Sequence, residues 1–69
     1  LNLPDIEVVA AAAHDGWMEG KRAQGIETRK SEWGEELMVP YDDLSEKAKD
    51  LDRAGVRAVY AAIERAQKS

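Results

Sequence analysis

The sequence predicts a mainly α fold: two antiparallel helices joined by an irregular segment that carries a short β-ribbon. Three observations predict it. Apolar residues recur at spacings of three and four over two long stretches, one early and one late in the chain. Between them residues 26–36, Ile-Glu-Thr-Arg-Lys-Ser-Glu-Trp-Gly-Glu-Glu, have no helical period. The whole is 69 residues, enough for a single domain (1–69) but not for a thick core. A chain this short buries only about 60% of its unfolded surface, so partner, metal or disulfide often completes such domains.

The first helix opens at Leu3-Pro4-Asp5, where proline suits the first turn and Asp5 and Glu7 suit the positive end of the macrodipole. Ile6, Val9, Ala10, Ala13, His14, Trp17 and Lys21 then share one face, and Gly25 is the natural stop, giving a helix over 5–24. Ala12, Gly16 and Gly20 form a ridge of small residues at i, i+4 and i+8. It is either an exposed face without a task or a flat strip for close approach.

In the irregular segment, residues 26–29 and 37–39 are expected to pair as the ribbon, with the bend near 31–34. Trp33 in that loop is a lid over the thin core or a stacking surface for a ligand. Pro40 ends the ribbon, because it confines Val39 to extended backbone and has no N–H for a ladder. Tyr41 offers a ring to bury and a hydroxyl to satisfy. Asp42 and Asp43 favour a turn, Leu44 plugs it, and Ser45 caps the next helix.

The second helix is expected over 45–66, with Ala48, Leu51, Asp52, Val56, Val59, Tyr60 and Ile63 inward and Gly55 a place where it can bend. Asp52 in an apolar stripe calls for a partner, and Lys49 and Arg53 flank it; an ion pair or the cap of a new helical segment accounts for it. His14 is placed as a hydrogen-bonded helix residue near Tyr41 or Asp52.

The net charge of −4 argues against binding a nucleic acid polymer, which needs a basic surface. The charge is segregated: residues 1–20 hold four acids and no base, and Lys21, Arg22, Arg29 and Lys30 follow closely. That cluster is a solvated face or a small anion site. With no cysteine and one histidine, neither a disulfide nor an ordinary zinc site is expected, and no cofactor is called for. No run approaches the ~20 apolar residues of a membrane span, so no membrane partner and a cytoplasmic location are expected. No phosphate loop, nucleophile elbow or nucleophile–base pair is present, which sets catalysis aside.

Two strings of residues carry a resemblance. Ile6…His14-x-x-Trp17-x-x-x-Lys21-x-x-x-Gly25 is followed by Val39-Pro40-Tyr41-x-x-Leu44-Ser45-Glu46-x-x-Lys49-x-x-Asp52-Arg53. In order and spacing they resemble the ryanodine receptor repeat domain (RyR domain), which also occurs as small bacterial and phage modules. The family often has an aromatic where this chain has Ile26, and a Tyr-Gly pair that is absent here. The resemblance implies a non-catalytic module that pairs with a second copy or a tandem repeat and recognises a nucleotide-like small ligand in the groove between them. It implies ligand contacts from Trp17, Lys21, Arg22, Trp33, Leu37 and Tyr41, with His14, Pro40, Leu44, Lys49, Asp52 and Arg53 as the structural motif. Leu37 stands where the family has a base, which makes the groove more apolar. The other function class is a structural or protein-interaction module, in which Trp17 and Tyr41 are core.

Overall fold

The Asp5 carboxylate accepts the Glu7 N–H at 2.7 Å and its carbonyl accepts the Val9 N–H at 3.3 Å, so α1 (Ile6–Ala23) starts on a side-chain cap. The computed structural model describes residues 2–68; Leu1 and Ser69, the ends of the expected 1–69 domain, lie outside the described residues. At the far end of α1, the Ile26 N–H bonds the Lys21 carbonyl and the Gly25 N–H bonds the Arg22 carbonyl, both at 2.9 Å. This double closure needs a left-handed residue, and Gly25 supplies it with φ +81°. A turn of 3-10 helix, Tyr41–Asp43, precedes α2 (Glu46–Lys68).

The expected ribbon is not formed. Among the described residues there is one isolated antiparallel bridge, Lys30 to Glu36, and no strand. The segment is a tight hairpin closed by side chains. Leu37 N–H meets the Arg29 carbonyl at 2.8 Å and Ser31 N–H meets the Glu35 carbonyl at 2.9 Å. Gly34, at φ +86°, closes the three-residue loop. Glu36 then takes the place of a longer ladder: its carboxylate accepts the Thr28 hydroxyl, the Arg29 N–H at 2.8 Å and the Met38 N–H at 3.0 Å. These donors, the Arg29 amide foremost, hold its pKa down to about 2.

The helices run antiparallel, as their cross-links show: Tyr60 hydroxyl to Pro4 carbonyl at 2.8 Å, Arg53 to Glu7 at 2.5 Å, His14 to Asp52 at 3.7 Å. Ala10, Tyr41, Leu44, Ala48 and Val56 are the buried core, with Ile6, Val9, Leu37, Val39 and Tyr60 packed around them. The segment from Leu37 to Leu44 therefore covers one side of the helix pair. None of the described residues covers the other side in the same way, and Leu51 and Val59, expected inward, are 62% and 57% exposed. Small α1 residues, Ala10 and Ala13, let the helices meet along a line too narrow to enclose both. Met18, outside the expected α1 face, is buried instead. Gly55 interrupts nothing: α2 is one helix of 23 residues.

Ser45 caps α2 as expected, its hydroxyl accepting the Ala48 N–H at 3.1 Å. It is itself held by Glu35, which accepts the Ser45 N–H at 2.8 Å and hydroxyl at 2.6 Å and the Trp33 indole N–H at 2.7 Å. The hairpin is thus fastened to the start of α2. These bonds, led by the Ser45 amide, lower the Glu35 pKa.

Candidate functional site

His14 faces inward from α1 and is buried. Its Nε2 lies 2.7 Å from the Val39 carbonyl, which can only accept, so Nε2 carries hydrogen. Pro40 makes this possible, since the extended Val39 before it presents its carbonyl to the helix. The other ring nitrogen, Nδ1, looks across to Asp52 Oδ2 at 3.7 Å. The expected pairing of Asp52 with Lys49 or Arg53 does not occur. Arg53 turns to Glu7 (2.5 Å), Asp50 (2.7 Å) and Glu46 (3.1 Å), and Lys49 to Glu46 (3.5 Å). Their side chains leave α2 on the loop-covered side, whereas Asp52 leaves it toward α1. Burial therefore raises the Asp52 pKa, with His14 acting against it.

Trp17, one turn beyond His14, stacks on its ring at 5.6 Å between centroids and 27° between planes. Lys21, one turn further, places its ammonium 5.9 Å from the Trp17 ring centroid. Across from them, Leu37, Leu44, Ala48, Leu51 and Asp52 complete a pocket of about 110 Å³. The wall is apolar on the hairpin side, has a half-buried carboxylate on the α2 side, and an indole with a cation at its rim.

The structure thus brings Trp17 and Leu37 onto one pocket, with Lys21 beside it, and adds His14, Leu44 and Asp52 from the structural set. It does not bring the remaining expected contacts there. Arg22 lies against Met18 sulfur at 3.8 Å and lines a different hollow with Gly25, Glu27 and Met38. Trp33 sits on the hairpin beneath the Lys47 ammonium, 4.4 Å from its ring. Tyr41 is core: its ring is buried under Lys49, and its hydroxyl donates to Glu7 at 3.1 Å. Burial, then the bond to Glu7, pushes its pKa up. Glu7 is lowered, chiefly by the Arg53 bond, and Arg53 is raised in return. Pro40 shapes the turn and does not itself line the pocket.

Ala48 and Leu51 are pocket residues that the sequence reading placed only in the core. The signal for Ala48 was present: it is the smallest residue at its level on α2, opposite the largest on α1. Glu35 and Glu36 were missed altogether, because acids in an aperiodic loop carry no pattern. Among the described residues no group of three or more His, Cys, Asp or Glu side chains is placed to hold a metal ion. None of their helices is long and apolar enough to cross a membrane. No protein-family model, curated protein or solved structure matches the chain.

Proposed function

We propose that the chain is a non-catalytic binding module whose pocket takes the planar end of a nucleotide-like small molecule. One observation carries the reading: a single pocket joins the Trp17 indole to the half-buried Asp52 carboxylate, with the Lys21 ammonium beside it, 5.9 Å from the indole's centroid. A heteroaromatic ring stacks on the indole, an exocyclic amino group donates to Asp52, and a phosphate trailing outward meets Lys21. An acidic protein whose pocket wall is a carboxylate favours such a donor-bearing ring over one that presents only carbonyls. The pocket's 110 Å³ is below the ~300–1,000 Å³ that encloses a whole small molecule, so one copy grips only part of the ligand. A second copy or repeat alongside closes the rest, which agrees with the resemblance noted above.

Calorimetric titration of the purified chain with AMP, ADP-ribose and cyclic dinucleotides tests this. Binding is expected for at least one adenine-bearing ligand, and Lys21→Ala is expected to weaken a phosphorylated ligand about tenfold while leaving the matching nucleoside unchanged. Absence of any heat or melting shift across the series refutes the reading.

The second reading, a protein-interaction module, is favoured by a separate observation. The uncovered side of the helix pair carries an apolar groove of about 360 Å³ lined by Val9, Ala13, Leu51, Gly55, Val59 and others.

A further inference from the structure

Among the described residues no donor hydrogen-bonds the Asp52 carboxylate, which lines the pocket from α2. Lys49 and Arg53, its neighbours on the helix, are bound to Glu46, Glu7 and Asp50. A neutral His14 ring with its hydrogen on Nε2 has none left for Asp52, 3.7 Å away. We propose that the planar group this pocket takes is a cation of single-ring size, an N-alkylated pyridinium carboxamide on a ribose phosphate, held in preference to its neutral reduced form. The inference rests on the binding-module reading and names the ligand class of that same pocket.

Charge gives the first argument. The Trp17 indole has one cation near it, the Lys21 ammonium 5.9 Å from the ring centroid. An indole face is electron-rich, so a ring that spreads positive charge over its atoms gains from stacking there, and a neutral ring gains less. The same charge falls opposite Asp52, whose ionised form burial disfavours. Leu37 and Leu44, on the facing walls, add no charge and exclude water from that side, which strengthens the attraction between ring and carboxylate.

Size gives the second argument. A dry cavity of about 150 Å³ in another protein takes one benzene ring. This pocket, at about 110 Å³, holds most of a six-membered ring with its substituted edge outside. A purine would leave one of its two rings in water.

The substituents narrow the choice. A carboxamide supplies the N–H donor that Asp52 lacks, and a phosphate beyond the ribose meets Lys21 at the rim. The oxidised nicotinamide ring on a ribose phosphate unites the three features: a positive single ring, an amide donor and a phosphate. Hydride addition discharges the ring and keeps the other two, so the pocket distinguishes the two oxidation states of one ligand.

Calorimetric titration with nicotinamide mononucleotide and with its reduced form, at mildly alkaline pH where the reduced ring survives, reads this directly. The oxidised form is expected to bind about tenfold or more tighter. Asp52→Asn keeps the shape of the side chain and removes its charge, and it is expected to abolish most of that preference. Equal binding of the two forms by the parent, or a preference unaltered in Asp52→Asn, overturns the proposal. GMP methylated to a cation on its imidazole ring separates size from charge. This two-ring cation is expected to bind more weakly than nicotinamide mononucleotide, and equal or tighter binding overturns the single-ring assignment. AMP tests the underlying reading in the same series. If AMP binds and neither nicotinamide form does, this inference falls alone; if nothing binds, both fall.

Discussion

Removing the Tyr41 ring is the sharpest test of how this small fold is held. The ring is 6% exposed, packs with Ala10, Leu44, Ala48 and Val56, and joins the turn to both helices. Truncating a buried aromatic to alanine costs about 3–5 kcal/mol, and a site this near the surface relaxes enough to put Tyr41→Ala at the low end, about 3 kcal/mol. A 69-residue domain has roughly 3–10 kcal/mol in all, so the loss is a large share of the total. Tyr41→Phe keeps the ring and loses only the hydroxyl's bond to Glu7. Glu7 is 49% exposed and retains Arg53, so that variant is expected to lose no more than about 1 kcal/mol. Urea melts followed by far-ultraviolet circular dichroism at pH 7 give both numbers. Parent-like curves for Tyr41→Ala would show that the ring is not part of the core. Equal losses in the two variants would place the energy in the hydroxyl, and the packing argument would fail. The titration of the same group adds a signature: burial holds its folded pKa above the ordinary tyrosine value of 10.0, so stability is complete below pH 10 and falls as pH rises through the folded value. Tyr41→Phe removes that part of the alkaline loss.

Two other outcomes follow from carboxylates with opposite shifts. Glu36 has a folded pKa of about 2 against 4.5, so its contribution is present above pH 4.5 and lost as pH falls toward 2. Glu36→Gln is expected to be less stable than the parent at pH 7 and to approach it near pH 2; parallel urea midpoints across that range would refute the role of its three hydrogen bonds. Asp52 is raised above 3.8 by burial, so its contribution is favourable below pH 3.8 and is lost as pH rises through the folded pKa. Asp52→Asn is expected to match the parent in acid and exceed its melting temperature at pH 7. A lower melting temperature at pH 7 would mean that the attraction to His14 outweighs burial.

Helix identity, both helix starts, the glycine stop and the Pro40 turn were legible in the sequence because each rests on local chemistry: a cap, a fixed φ, a left-handed glycine. The pairing of His14 with the Val39 carbonyl was half legible, as an inward histidine in need of a partner. What the pattern misjudged depended on distant geometry. Leu51 and Val59 have the period of a buried stripe, but a two-layer domain covers one side of its helices only. The ribbon failed because Glu36 satisfies the amides that a longer ladder would have paired. Arg53 was legible as a charge flanking Asp52, and not as the partner of Glu7, which lies 46 residues away in the chain. The pocket residues Trp17 and Leu37 could be named without the structure; that Asp52 faces them could not.

The cross-links between the helices have a mechanical consequence. Pro4 and Tyr60 are neighbours, so tension applied through α1's start and α2's later turns acts at the same end of the bundle. Such a load peels the helices apart instead of sliding them past each other, and it meets the bonds in sequence. Tyr60–Pro4 parts first, the Arg53–Glu7 pair next, and His14 and its Val39 carbonyl after that. Each is loaded in turn, like a clasp unfastened from one side.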